Sequence, residues 1–264
     1  MAETYRVKWS REETILAFDL YCRIPFSKIS KSNKDIIALA NMLGRTPSSV
    51  GLKMANLAHF DSELRARHVT GMSNASKLDR EIFEEFQKDW MGLSYQAQKI
   101  RARLCNKSVE QMVEIEGVRE LIEIPAGDYR EQMTKIRVGQ YFFRSSVLSA
   151  YRNKCCITGV TVPSLLIASH IKPWKDCDEK AERTNPTNGL CLNALHDKAF
   201  DKGLITIDKN YRIINSKELK EAEMDADTKG WWNLYEGRQI ILPDRFYPAK
   251  QFIEYHNDMI FRGV

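Results

Sequence analysis

Two histidines and an asparagine lie within one stretch of the chain and could carry out acid–base and metal chemistry. The stretch runs from Leu165 to Asp208, and it contains His170 and His196, two of the five histidines, on either side of Asn188. A neutral imidazole has a pKa of about 6.5 and can accept a proton from water at neutral pH. An imidazole on a rigid helix is also a good ligand for a divalent cation. A base and a bound cation are the two groups that phosphodiester hydrolysis requires, because the cation stabilises the charge on phosphorus and on the departing oxygen.

The residues around these side chains predict short elements that would position them. Residues 155–160 (CCITGV) are typical of a short strand that ends in a glycine turn. Residues 164–171 (SLLIASHI) predict a second strand with His170 at its end. A polar loop follows, and residues 188–203 (NGLCLNALHDKAFDKG) predict a turn and then a helix that carries His196. Two strands and a helix would thus place one histidine at a strand end and the other on the following helix.

Three motifs in this region resemble those of a known family. Ser-His-Ile-Lys-Pro-Trp at 169–174 is followed by Asn-Gly-Leu-Cys-Leu at 188–192 and by Leu-His-Asp-Lys-Ala-Phe-Asp-Lys-Gly-Leu at 195–204. Their order and spacing resemble the HNH endonucleases, which are also called ββα-metal or His-Me finger nucleases. The resemblance is closest to the branch found in bacterial restriction-type enzymes, and it covers about 140–216.

The resemblance implies a role for each of the three motif residues. His170 matches the general base, Asn188 matches the asparagine that shapes the loop, and His196 matches a metal ligand. The resemblance further implies one divalent metal ion, Mg²⁺ or Mn²⁺, and DNA as the substrate, with cleavage that leaves a 5′-phosphate. The expected fold class is α+β, with a helical N-terminal module followed by a ββα-metal nuclease domain.

This chain departs from the pattern of the family at two positions. Many members have an aspartate or a histidine directly before the base as a further ligand, whereas this chain has Ser169. Many also have a histidine one helical turn after the last motif residue, whereas this chain has Phe200 followed by Asp201. The second protein ligand is therefore open between Asp201 and Asn188, with water and phosphate oxygens completing the coordination.

The cysteines do not follow a metal-binding pattern. Six cysteines are scattered along the chain, two of them adjacent at Cys155 and Cys156, and no Cys-x-x-Cys motif occurs. We therefore expect reduced thiols and no structural zinc.

The first sixty residues predict a compact set of basic helices. Ser10 and Glu13 have the spacing of a capping box ahead of an apolar run. A second helix is predicted to end at Gly44, and a third to begin with Thr46 as its cap and Pro47 in its first turn. Two helices separated by about three residues around a glycine are typical of a helix-turn-helix. This segment contains nine Lys/Arg against five Asp/Glu, which suits a polyanionic partner.

Six side chains are candidates for contacts with nucleic acid, because they carry positive charge or hydroxyl groups at positions predicted to be accessible. Two lie beside the nuclease motifs and four in the helix-turn-helix pattern: Lys172, Lys198, Arg45, Ser48, Ser49 and Lys53.

The composition is that of a globular protein with one large domain or two small ones. The chain has 264 residues with a formal net charge of +5, and 43% of the residues are hydrophobic, so a core can form. We predict a helical, DNA-binding module at 1–104, a linker with a β segment at 105–138 and the nuclease domain at 139–264. No apolar run is long enough to span a bilayer and no secretory signal is evident, so we expect a cytoplasmic protein without a membrane partner.

The function predicted from these observations is that of a metal-dependent DNA endonuclease in restriction or phage defence. One alternative is a DNA-binding regulator whose HNH fold has lost catalysis, since Ser169 replaces an expected ligand. Another alternative is an HNH nuclease that acts on modified DNA or on RNA. A chain with one active site must form a homodimer or cut twice to break both strands.

Overall fold

The computed structural model describes residues 8–61, 64–65, 75–115 and 130–263 of the chain. The chain divides into two compact units, Met1–Tyr141 and Phe142–Val264. The first unit is helical and the second combines short strands with helices, so the expected α+β class is confirmed. The boundary between the units lies inside one helix, a few residues after position 138, where the predicted linker ends. Within the described ranges, no helix has both the length and the apolar composition that crossing a bilayer requires.

The described part of the first unit is made of helices, and the sequence predicts where the first begins, where the second ends and where the third begins. The Ser10 hydroxyl accepts a hydrogen bond from the Glu13 amide, and the Glu13 carboxylate accepts one from the Ser10 amide, so the capping box is confirmed. Gly44 follows the second helix in the left-handed region at φ 62°, and Thr46 caps the third helix ahead of Pro47. In chain order these helices are α1 (Arg11–Arg23), α2 (Lys34–Leu43), α3 (Pro47–Ala58), α4 (Lys77–Phe86), α5 (Trp90–Leu104) and α6 (Val109–Ile115).

Aromatic side chains from three helices form the core of the first unit. The ring of Phe18 on α1 lies 5.1 Å from that of Phe83 on α4 and 6.2 Å from that of Trp90 on α5, measured between centroids. All three side chains are buried. Burial of these large apolar surfaces is what holds α1, α4 and α5 together.

The predicted β segment of the linker is a helix where the structure describes it. Val109–Ile115 forms α6, and the remaining part of the predicted segment, 116–124, lies outside the described residues. The reason is a capping box that the apolar pattern concealed. The Ser108 hydroxyl accepts from the Gln111 amide at 3.2 Å, and the Gln111 side chain accepts from the Ser108 amide at 2.9 Å.

The second unit contains two antiparallel strand pairs and a set of short helices. In the first pair, Leu166 lies opposite Asn193 and His170 lies opposite Gly189. The elements are α7 (Arg130–Ala150), β1 (Leu166–His170), β2 (Gly189–Asn193), α8 (Ala194–Asp201), β3 (Ile205–Ile207), β4 (Ile213–Asn215), α9 (Lys217–Glu221), α10 (Ala226–Tyr235) and α11 (Lys250–Met259). Helix α8 packs on β1 and β2, so these three elements form the ββα unit.

Two of the predicted elements of this unit are wrong. Residues 155–160 form a turn instead of a strand, with Gly159 at φ 74° and the Cys155 thiol accepting from the Thr158 amide. Gly189–Asn193, predicted as a turn and the start of a helix, is strand β2. The helix begins only at Ala194, because the Asn193 side chain caps it by accepting from the His196 amide at 2.9 Å.

Candidate active site

Strand β1 ends at His170, and the imidazole of this residue has a defined orientation. Its Nε2 lies 2.9 Å from the backbone carbonyl oxygen of Arg183. Because a carbonyl oxygen can only accept, Nε2 carries the hydrogen and donates it. In the neutral ring Nδ1 is then unprotonated, and no described residue forms a hydrogen bond with it. His170 therefore offers a free lone pair, as a general base requires.

Aromatic rings enclose the His170 imidazole on two sides. Phe143 of α7 stacks on it with 3.8 Å between ring centroids and 12° between ring planes, and Trp174 meets it edge-on at 5.6 Å. Burial lowers the pKa of His170 to about 4, although the bond to the Arg183 carbonyl opposes this shift. The imidazole is consequently neutral at physiological pH.

Asn188 is buried and holds the loop that follows β1. Its side-chain oxygen accepts from the Lys172 amide at 2.8 Å, and its Nδ2 donates to the Lys172 carbonyl at 3.1 Å and to the Cys177 sulfur at 3.2 Å. This geometry supports the loop-shaping role that the resemblance implies. The structure does not place Asn188 at the cavity that His170 lines, because its amide is fully buried and both its ends are engaged with the loop, and its role as a metal ligand stays a prediction.

His196 lies in an aromatic cluster with helix α10. Its side chain is only 1% exposed, and its ring centroid is 4.9 Å from Trp231, 5.4 Å from Trp232 and 5.5 Å from Tyr235. Burial lowers the pKa of His196 to about 4. Its Nδ1 is buried without a hydrogen-bond partner among the described residues.

A cavity of about 1010 Å³ at the end of β1 brings together a different set of side chains. Ser169 and His170 of β1 line it together with Asp197 and Asp201 of α8, and His196 does not. The ring of His196 packs instead against Trp231, Trp232 and Tyr235 of α10. Asp201 follows Asp197 by one helical turn and shares its face.

The structure does not place His196 at the cavity that His170 lines, and the predicted pairing of the two histidines and the role of His196 as metal ligand stay predictions. Asp201, proposed from the sequence, does line the cavity. Asp197 was missed, although a carboxylate one turn before Asp201 was the signal that could have identified it.

The two carboxylates of α8 form a site that favours a cation. Burial raises the pKa of Asp197, with the Ser169 hydroxyl and Lys198 opposing the shift. Burial and then the charge of Asp197 raise the pKa of Asp201, so the two groups repel each other. The buried Ser169 hydroxyl lies beside Asp197 and lowers the pKa of that carboxyl.

These oxygen donors fit a hard divalent ion. The described residues contain no cluster of three or more His, Cys, Asp or Glu side chains that could hold a metal. Mg²⁺ nevertheless binds through one or two carboxylates with water and substrate phosphates as its other ligands. Asp197 and Asp201, with the Ser169 hydroxyl beside Asp197, match that pattern, and carboxylate oxygens suit Mg²⁺ and Mn²⁺.

The two lysines predicted to bind nucleic acid near this site differ in their surroundings. Lys198 is exposed and lines the cavity. Lys172 instead forms an ion pair with Glu182 at 2.6 Å and lies 5.2 Å from the centroid of the Tyr255 ring. Lys202, also exposed, lines the cavity beside Lys198.

The candidate contacts of the first unit are partly engaged inside that unit. Lys53 is 5% exposed and its Nζ lies 2.5 Å from Asp79 Oδ1, so the prediction of Lys53 as an accessible contact is wrong. Arg45 forms an ion pair with Glu13 at 2.7 Å. Ser48 is exposed and Ser49 is partly exposed near the start of α3, and their contacts with DNA stay predictions.

His256 provides an internal comparison for His170, because it also stacks on a phenylalanine. Its ring centroid lies 3.8 Å from that of Phe200, but its Nδ1 lies 2.9 Å from the Thr206 hydroxyl and its Nε2 lies 3.0 Å from the Phe200 carbonyl. Both ring nitrogens of His256 are thus engaged, which identifies it as structural. His170 differs in having one nitrogen without a partner.

A comparison with protein families matches part of the second unit. Residues 155–208 match the family described as HNH endonuclease. The matched segment contains β1, β2 and α8, and with them His170, Asn188, Asp197 and Asp201. A comparison with curated proteins found no match. Residues 155–208 of the second unit are thus similar to the HNH endonuclease domain.

Proposed function

We propose that this chain is a metal-dependent DNA endonuclease that hydrolyses phosphodiester bonds and leaves 5′-phosphate ends. One observation carries the proposal. His170, with Nε2 bonded to the Arg183 carbonyl and Nδ1 unpartnered, lines the same cavity as the carboxylates of Asp197 and Asp201. A base and an oxygen-donor cation site at one cavity are what hydrolysis of a phosphate ester needs.

In this mechanism the residues of the chain hold the base and the substrate. His170 Nδ1 accepts a proton from a water, while the Arg183 carbonyl keeps Nε2–H in place. The pKa of His170, lowered to about 4, leaves the base unprotonated before the reaction. A divalent ion held by Asp197 and Asp201 would stabilise the charge on phosphorus and on the leaving 3′ oxygen. Lys198 and Lys202 hold the DNA backbone by charge.

The biological role that we propose is restriction or phage defence, in the cytoplasm. Its support is the resemblance of residues 169–174, 188–192 and 195–204 to restriction-type HNH enzymes. The first unit, with helices α2 and α3 and the accessible Ser48 and Ser49, would bind DNA. A double-strand break would require a homodimer or two successive cuts.

A plasmid-nicking assay with Mg²⁺ or Mn²⁺ tests the proposal. His170→Ala should reduce cleavage by about 1000-fold, because it removes the general base, and should leave DNA affinity unchanged. His59→Ala is the matched control, since His59 is a partly exposed histidine of the first unit. A His170→Ala protein with full activity would refute the assignment of the base.

The same assay separates the alternatives. A protein that binds DNA but cuts it with neither metal would be a regulator with an inactive HNH fold. Cleavage of RNA or of modified phage DNA, but not of plain DNA, would mean that the protein is a nuclease of the same type with a different substrate. Products that DNA ligase rejoins directly would carry the expected 5′-phosphates.

A further inference from the structure

We infer that Phe143 is a positioning residue for His170, and that Gly189 is the residue that makes room for its ring. This inference deepens the proposed function and rests on it, since it concerns the base of the same reaction. Phe143 lies on α7, outside the segment that matches the HNH endonuclease family.

The stack and the hydrogen bond restrain the imidazole in complementary ways. Phe143 lies face to face with His170, at 3.8 Å between centroids and 12° between planes, and therefore fixes the plane of the ring. The Arg183 carbonyl lies 2.9 Å from Nε2 and fixes the direction of the ring within that plane. Together they determine where the lone pair of Nδ1 points.

Gly189 creates the space that the Phe143 ring enters. Gly189 lies opposite His170 in the register of β1 and β2, and directly opposed residues in antiparallel strands direct their side chains to the same face. A Cβ atom on Gly189 would lie 3.0 Å from Cζ and 3.2 Å from Cε2 of Phe143, and 2.3 Å from Cγ2 of Val147. The missing side chain of Gly189 is therefore what allows α7 to approach this face and Phe143 to stack on His170.

The close approach of α7 gives Gly189 of the Asn-Gly pair a steric role in addition to a role in a turn. Gly189 has φ −129°, which any residue adopts, so the backbone conformation does not require glycine there. The requirement is steric and comes from α7. Asn188 holds the loop through the Lys172 backbone, and Gly189 holds the base through Phe143.

The test combines ring-nitrogen NMR of the His170 side chain with single-turnover cleavage, both on the full chain. Nitrogen chemical shifts should show wild-type His170 protonated at Nε2 and unprotonated at Nδ1. Phe143→Leu should give a mixture of the two tautomers and lower the cleavage rate by about 100-fold, with DNA affinity changed less than about twofold, because a displaced base loses orientation and not binding.

Phe142→Leu is the matched control, because Phe142 is the adjacent buried phenylalanine, about 100° away around α7. It should preserve the wild-type tautomer and rate. If Phe143→Leu does not fold, Phe143→Met replaces it, since an unbranched side chain fills the space without a ring. A single wild-type tautomer and an unchanged rate in the folded variant would overturn the inference. If the wild-type protein cleaves no DNA, the proposed function fails, and the NMR result still decides whether Phe143 positions the ring.

Discussion

His196 and Asp197 are neighbours on α8 with opposite surroundings. His196 is buried among the rings of α10, and its Nδ1 has no partner in the described part of the chain. Asp197 lines the cavity with His170, and its pKa is raised by burial. A polar atom left buried without a partner costs stability, whereas a raised carboxylate pKa signals a charge that a cation would stabilise.

Substituting these two neighbours in turn should show which of them binds the metal. Asp197→Asn should abolish the rise in melting temperature that Mg²⁺ or Mn²⁺ produces in the wild type. In the absence of metal it should itself melt about 2 °C higher, because the repulsion of Asp201 is relieved. His196→Met should keep the metal-induced rise, because His196 does not line the cavity. Thermal melts with and without metal make the comparison, and the reverse pattern would restore His196 as the ligand.

At the scale of elements, the contact between β2 and α7 determines how the base is held. Gly189→Ala places a methyl group 2.3 Å from Val147 Cγ2 and 3.0 Å from Phe143 Cζ, so these closely packed side chains of α7 must shift. The expected cost is about 1 to 3 kcal/mol of unfolding free energy, as for other overpacked sites. Gly230→Ala on α10 is the matched control, because no atom lies within 4 Å of its added Cβ. That control should gain about 0.5 to 1 kcal/mol from helix propensity. Urea unfolding measures both, and equal stabilities would contradict the close approach.

The ion pair between α3 and α4 gives a second element-scale prediction. Lys53 and Asp79 are 5% and 1% exposed at their side chains, and their charged atoms are 2.5 Å apart. Lys53→Met should lower the unfolding free energy by about 3 kcal/mol, because it leaves the Asp79 carboxylate buried and unpaired. Ser48→Ala, at an exposed position on the same helix, should change it by less than about 0.5 kcal/mol. A Lys53→Met protein as stable as the wild type would mean that the lysine is available for DNA after all.

The sequence predicts an element correctly when residues close to it in the chain determine its structure. The start of α1, the end of α2 and the start of α3 are set by side chains within a few residues, such as Ser10 and Glu13, and they were predicted correctly. Strand β2 was missed because a short apolar run is compatible with a strand or with a buried helix. Only the pairing of this run with β1 shows that it is a strand. The choice between His196 and Asp197 depends on how α8 rotates between the cavity and α10. That rotation comes from tertiary packing, so the motif alone did not reveal it.

At the scale of the whole molecule, the stability of each unit depends on a different kind of titrating group. The second unit buries His196 and His256 fully and His170 in part, and burial lowers the pKa of each to about 4. The first unit buries Asp19, where burial raises the pKa but the charges of Arg101 and Arg23 outweigh this and lower it. Neutral buried imidazoles and ion-paired carboxylates lose their stabilising effect in different pH ranges.

Mild acid should therefore destabilise the second unit before the first. An imidazole with a pKa of about 6.5 when unfolded and about 4 when folded binds more protons in the unfolded state between these values. Its contribution is complete above about pH 6.5 and is lost as the pH falls towards about 4, so His196 and His256 together should cost about 2 to 4 kcal/mol between about pH 7 and about pH 5. The raised pKa values of Asp197 and Asp201 act in the opposite direction, and the exposure of Asp201 keeps their effect smaller.

Hydrogen exchange read by mass spectrometry can follow both units in the same full-length protein. Corrected for the intrinsic pH dependence of exchange, amides of β2, α8 and β3 should lose protection between about pH 7 and about pH 5. Amides of α1 and α5 should keep theirs, because the folded pKa of Asp19 lies below the ordinary range and its stabilisation is lost only at lower pH. His196→Met should reduce the loss in the second unit by about half, since it removes one of the two fully buried imidazoles. Equal loss of protection in both units, or no effect of His196→Met, would show that the buried histidines do not govern the acid response.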